Sequence, residues 1–557
     1  MSAPVYWIGC LIIALTVLAL PMPLLAIPLS PVIHETIEQQ QKMRLEQTQQ
    51  QREALQSVGP LSTSIPDVPQ SDKNAPCFVI KRIELSGATV LTSSTLKKLT
   101  RIPDEGCLRL TDIQQRVNNI TQTYISMGYI TSRAWLPEQD ISSTVLHINV
   151  TEGRVEDITI EGKKALDLQM AFPGVYGQLL NLRDIEQGIE QLNRLSSRPL
   201  TVDILPGDVP GYSRLQLIPA HQHFPLTLNV GIDNNGQKST GDQQISTSVV
   251  ADNILHMADQ WAFTVARDAE FHTDRRSRSV QTSLSVPYGY WLFSAQYGWS
   301  DSWQPVTSSN WRYEGSVQTQ RLTVNRTLWR DGNQRLVFET DLTRRKTENC
   351  LGDVRLNVSS PTITSLTSGF SYSRTLGKSY LTLGPAFSQG LEIAGATNND
   401  AYRGLPASDF RRFTLNGSWF YPITSSLSWL TTVYGQATPD TLYASEQLSV
   451  GGLYSVRGFK EQYLSGNRGG YWRNELTWLG DSITNMGTLS VTGALDTGYV
   501  AKQKGKIDGG TVTGAALGLT LSSGWGSQTI TIGTPLAWPH SLNPDNTVVY
   551  WQATLAL

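Results

Sequence analysis

The residues best placed for chemistry lie in Gly451–Glu475, GGLYSVRGFKEQYLSGNRGGYWRNE. Within it, Val456-Arg457-Gly458-Phe459 sets one guanidinium beside a glycine, where the backbone can turn tightly. An arginine drawn out of bulk water needs a carboxylate. Ala494-Leu495-Asp496-Thr497-Gly498 offers Asp496, on the opposite strand face from Leu495, and Glu475 is a second candidate. On these residues alone, a solvated arginine on a surface loop is the alternative. Enzyme chemistry finds no such constellation. Gly377-Lys378-Ser379 ends like a phosphate loop, but Tyr372 stands where its first glycine belongs. Gly369-Phe370-Ser371-Tyr372-Ser373 fails the nucleophile-elbow pattern at its last residue. There is no H-E-x-x-H, the seven histidines are scattered, and His221 with His223 reads as an exposed pair. The expectation is a protein that is not an enzyme and holds no metal or cofactor.

The elements that must position Arg457 read as strands. From Pro225 onward apolar residues alternate with small or polar ones, as in Leu226, Leu228, Val230 and Ile232, and again in Trp261, Phe263 and Val265. Sixteen strand candidates start near Pro225, Asp242, Gln260, Arg276, Trp291, Ser316, Gln334, Pro361, Ser379, Asp409, Ser425, Gly470, Gly487, Thr511, Trp525 and Val548. An even number suits a closed antiparallel transmembrane β-barrel, and sixteen strands leave a wide lumen. The barrel is expected over 221–557. The arginine motif falls between the eleventh and twelfth candidates, in a connection over 438–469 whose length points to function. In so wide and wet a lumen an Arg457–Asp496 pair is expected to be only partly desolvated.

Composition agrees. The chain has 557 residues, 45 basic against 47 acidic side chains, and only 17% charged residues. A net charge of −2 points away from a nucleic-acid partner. Beyond the N-terminus no apolar run reaches the roughly 18–20 residues of a spanning helix, yet 15 Trp and 20 Tyr are unlike a cytosolic protein. Val5–Leu25 carries no charge and predicts a signal peptide over 1–26, cleaved after Ala26, with a retained anchor as the alternative.

Residues 27–58 are expected to hold a helix, Ile33–Leu55, without Gly or Pro and polar nearly all round, with a frayed Gln-rich tail as the alternative. A Ser- and Pro-rich linker follows over 59–76. Two β-α-α-β-β modules come next, over 77–152 and 153–220, the first opening with a strand at Phe78–Leu85 and the second at Val155–Ile160. Cys77 and Cys107 flank the first module and are expected to join in an oxidising compartment, which would add about 3–4 kcal/mol. Two separate buried thiols are the alternative. Cys350 has no evident partner in the sequence.

Together, V-R-G-F, L-D-x-G, Asp233-Asn234-Asn235-Gly236 with Thr240-Gly241, and two such modules resemble the two-partner secretion transporters. These are the TpsB proteins of the Gram-negative outer membrane, related to BamA-type insertases. Two modules behind a helix and linker favour the transporter over a BamA-like assembly factor. Within the family the cysteine pair and texture look most like the haemolysin secretion/activation proteins. Transport of an adhesin or of a contact-dependent inhibition toxin is the alternative.

The resemblance implies that Val456, Arg457, Gly458 and Phe459 form a loop tip folded into the lumen, with Asp496 as the wall partner. It implies that 27–58 plugs the pore and that the modules are periplasmic POTRA domains. These would bind the N-terminal secretion domain of a large exoprotein, by strand addition, and export it without ATP. Outer-membrane lipid and the barrel assembly machinery are the other partners implied. Leu557 replaces the usual terminal Phe.

Overall fold

The computed structural model describes residues 30–57, 76–102, 107–306, 311–398, 406–483, 486–503 and 508–557. The expected signal peptide, and the linker up to residue 75, lie outside the described residues. Helix α1 runs Pro31–Ser57. Pro31 suits the first helical position, where its missing N–H costs nothing, and the run that follows consists mainly of good helix formers.

Module one comprises β1 (Cys77–Val79), β2 (Arg82–Ser86), α2 (Ser93–Leu99), β3 (Cys107–Arg109), α3 (Leu110–Ser126), β4 (Arg133–Trp135) and β5 (Val145–Thr151). The single opening strand expected at Phe78–Leu85 is in fact two. Ile80 turns into the core, 1% exposed, and the N–H groups of Lys81 and Arg82 both donate to the Thr144 carbonyl, which breaks the ladder. The β1 segment instead pairs with β3, while β2 lies parallel to β5. A disulfide joins Cys77 to Cys107 across this two-stranded sheet, with their Cα atoms 5.6 Å apart. Glu152 closes the module. Burial disfavours its charge, but hydrogen bonds from Thr89, Tyr124 and the Val90 N–H outweigh that and hold its carboxyl below the ordinary range.

Module two comprises β6 (Arg154–Ile160), α4 (Leu166–Ala171), α5 (Leu182–Asn193), β7 (Leu200–Pro206) and β8 (Tyr212–Pro219), in sheet order β6-β8-β7. Its core takes in Ile130 from module one. The two modules therefore share apolar packing.

Sixteen antiparallel strands close the barrel, β27 pairing with β9. The first seven are β9 (Leu226–Asp233), β10 (Gln244–Asp252), β11 (Gln260–Asp268), β12 (Arg276–Tyr288), β13 (Trp291–Pro305), β14 (Arg312–Arg330) and β15 (Gln334–Leu351). A two-residue β16 (Val354–Arg355) folds back on β15. Then come β17 (Thr362–Leu376), β18 (Ser379–Leu391), β19 (Arg411–Pro422) and β20 (Leu427–Ala437). The long connection holds β21 (Leu448–Val450) and β22 (Leu464–Gly466), paired as their own ribbon. The closing strands are β23 (Gly469–Ile483), β24 (Gly487–Val500), β25 (Gly510–Ser523), β26 (Gly526–Ala537) and β27 (Val548–Ala556). The strand starts read from alternation lie close to these, the furthest being Ser316 against Arg312. Trp261, Phe263 and Val265 face outward, as period two requires.

Module two sits on the short turns at one barrel end. The Gly289 N–H donates to the Met170 carbonyl, and Arg194 reaches the Ala258 carbonyl. That end defines the module side.

A latched loop and a plug in the lumen

Strands β23 and β24 turn Arg473, Glu475 and Asp496 to the inside, with Arg473 directly opposite Asp496. Into this wall the long loop delivers Arg457. Its Nε and Nη2 donate to Asp496 Oδ2 and Oδ1 at 2.6 and 2.7 Å, and its backbone N–H adds a bond of 3.1 Å. Its Nη1 donates to Glu475 Oε1 at 2.7 Å, an oxygen that Arg473 Nη2 also reaches, at 2.8 Å. Both carboxylates offered by the sequence thus stand on the guanidinium. Asp496 takes the two-pronged contact and Glu475 is shared.

The lumen is drier here than its width suggested. Arg457 is 5% exposed and Asp496 1%. The tip itself excludes the water. Val456 and Phe459 are fully buried with Val450, Leu464, Tyr471, Val500 and Val512. Gly458 has φ +98°, and a Cβ there would lie 2.6 Å from the Thr534 carbonyl oxygen, so only glycine fits. At Gly514 on the wall an added Cβ would come within 1.9 Å of the Arg457 carbonyl oxygen, so any side chain there would displace the tip.

A second anchor holds the base of the same loop. Glu446, buried, pairs with Arg345 from β15 and accepts from Arg412 of β19 at 2.7 Å. Arg345 also donates to the Ser445 carbonyl at 2.9 Å. Sequence reading passed over Glu446, because its partners are 101 and 34 residues away. The 233–242 segment is a third contact. Asp242 accepts from Lys460 at 2.6 Å, and the Lys238 N–H donates to Glu461. The Asn234 carboxamide pairs with the β27 backbone, donating to the Val549 carbonyl and accepting from the Trp551 N–H, like one more rung of the β9–β27 seam.

Helix α1 runs through the rest of the lumen. At about 1.5 Å per residue it is long enough to cross the barrel. Val32, Ile33 and Ile37 pack on Val317, Ala444 and Tyr463 at the far end, and Arg52 lies over Phe420 toward the module side. His34 stacks on Tyr463 with ring centroids 4.0 Å apart. Polar contacts do the rest: Gln41 donates to the Ser449 carbonyl at 2.8 Å, Ser277 to Glu35 at 3.0 Å and Gln281 to Gln39 at 2.8 Å.

The barrel thus holds an internal helix and a loop pinned inside it, with module two seated on one rim. The family model described as "Haemolysin secretion/activation protein ShlB/FhaC/HecB" matches residues 211–521. The chain belongs to that family. POTRA-domain models match 78–153 and 154–206, so the modules are POTRA domains. The chain is 40% identical to an outer membrane transporter CdiB of Escherichia coli, over 100% of this chain and 95% of the relative. It is 29% identical to the haemolysin transporter ShlB of Serratia marcescens, covering 88% and 85%. The solved structure of CdiB from Escherichia coli superposes with a TM-score of 0.90 over 95% of this chain and 99% of that one. The family member described here is thus a TpsB-type outer-membrane transporter with its POTRA domains in the periplasm.

Proposed function

We propose that this transporter moves one large exoprotein outward through its own lumen, and that the exoprotein is a contact-dependent inhibition toxin. The observation that carries the route is the lumen itself, occupied by two separable parts, α1 and the latched loop, directly above two POTRA domains. The exoprotein docks on the POTRA sheets, whose edge strands β4 and β7 can accept an added strand. Arg457, with Asp496 and Glu475, holds the loop tip during export, and the Cys77–Cys107 bond braces the first POTRA domain. Folding of the cargo outside supplies the drive, in place of ATP.

The cargo class rests on the relatives. Four relatives named CdiB share 30–41% identity, three of them 38% or more, against 29% for the haemolysin transporters ShlB and HpmB. A haemolysin is the second reading, favoured by the description of the family model.

The test is co-expression with a contact-dependent inhibition exoprotein or a two-partner haemolysin, in cells lacking any other such transporter. The toxin is expected at the cell surface and the haemolysin in the periplasm. Export of the haemolysin alone would reverse the cargo assignment.

A further inference from the structure

Register fixes which barrel side chains face outward. On β12–β15 the outward positions nearer the module side are largely apolar, including Leu284, Phe293, Leu322 and Leu342. Farther out the same face turns cationic. Arg267, Arg276, Arg278, Arg312, Arg344 and Lys346 all face outward on β11–β15, against the three carboxylates of Asp301, Glu314 and Glu348. Arg276 Nη2 and Arg278 Nε share Asp301, at 2.8 and 2.5 Å. Arg278 also lies over the Trp299 ring and Arg312 over Trp303, each 4.9 Å from the centroid. Among the described strand residues, the distal outward positions of the other barrel strands carry two cations, Arg355 on β16 beside β15 and Arg411, tied to Asp440. The surplus is confined to one sector of a protein whose overall charge is −2.

We infer that this sector binds the phosphate groups of an outer-leaflet glycolipid of the lipid A class. Tryptophans mark the level where apolar band gives way to headgroups. Guanidinium groups just above them match phosphate oxygens two at a time. Two guanidinia on one carboxylate leave one fork to turn to a phosphate while the other keeps Asp301. Rings beneath Arg278 and Arg312 limit their motion and add cation–π attraction. Acyl chains then run down the apolar rows of β12–β15, so lipid and protein meet along both halves of the lipid.

The experiment titrates the purified full-length protein in detergent with diphosphoryl lipid A, with the dephosphorylated lipid and with inorganic phosphate, followed by native mass spectrometry. Diphosphoryl lipid A is expected to bind, and removing its phosphates to weaken binding by about tenfold or more. The triple variant R276Q/R278Q/R344Q should weaken it similarly, while Arg411→Gln leaves it unchanged; heat-modifiable migration confirms that both fold. Equal binding of the dephosphorylated lipid, or wild-type binding by the triple variant, overturns the site. Displacement by equimolar inorganic phosphate overturns the lipid assignment in favour of a free-anion site.

Discussion

Arg457 makes more contacts than one cation usually commands: two oxygens of Asp496, one of Glu475, and its own backbone N–H on Asp496. Because Asp496 is buried, removing the guanidinium leaves a carboxylate without its main partner, a loss of about 3–5 kcal/mol for a buried pair. A barrel ladder of sixteen strands tolerates that, whereas a loop tip does not. Arg457→Ala is therefore expected to insert normally and to lower secretion strongly, read as extracellular over periplasmic cargo at matched transporter levels. Asp496→Ala should give the same defect and the double variant little more, as for residues acting as one unit. Defects that multiply in the double variant would mean that the contact does not matter. Arg457→Lys should not rescue, since an ammonium cannot fill a two-pronged site.

At the scale of elements, α1 is held unevenly. Its few apolar side chains gather at the first turns, around Val32, Ile33 and Ile37, and the remainder depends on single hydrogen bonds and on Arg44 over Tyr434. A cavity of 180 Å³ remains between the helix and the β11–β14 wall. Such a helix is seated rather than built in, because each exchanged hydrogen bond is worth only about 0.5–1.5 kcal/mol against water. Deleting 31–57 should leave a folded barrel with raised single-channel conductance in planar bilayers; unchanged conductance would place the helix outside the conducting path. The loop stays behind in this deletion because Glu446 ties its base to β15 and β19, independently of α1.

For the whole molecule, the proposed docking on a POTRA domain would have to reach the lumen through the contacts between module two and the barrel. Helix α5 is the rigid link. Glu190 sits between Arg330 and Arg335 of the barrel, at 2.9 and 2.6 Å, and Tyr290 donates to Asp184 at 2.6 Å. At the end of α5, burial lowers the Arg194 pKa to about 10, with Asp252 and Asp259 opposing, so Arg194 stays charged at neutral pH. These contacts tie the second POTRA domain to the strand turns. Glu190→Gln should loosen them, costing the interface a few kcal/mol, about 3 for a half-broken buried pair. Spin labels on the second POTRA domain and the barrel rim should then report a broader distance distribution, with secretion reduced. An unchanged distribution would show that the interface is held by packing alone.

Local periodicity determined much of this protein. Alternation of period two and turn-forming Gly, Asn and Asp are properties of neighbouring residues, so sixteen strands, their starting points and the place of the long connection were readable without coordinates. The order of elements in the second POTRA domain was readable for the same reason, and in the first except for the split opening strand and the short β3. Arg457 stood out as the guanidinium of V-R-G-F in a long loop, which asks for a carboxylate. What remained depends on residues far apart in the chain, brought together only by barrel closure. The split of the opening strand follows from Thr144, more than sixty residues on. Glu446 meets Arg345 and Arg412, and Asn234 clasps β27, only because of register around the closed sheet. The dryness of the Arg457 site is of the same kind. A wide lumen suggests water, and only the packing of Val456 and Phe459 against β23–β25, where wall glycines leave room for the tip, removes it.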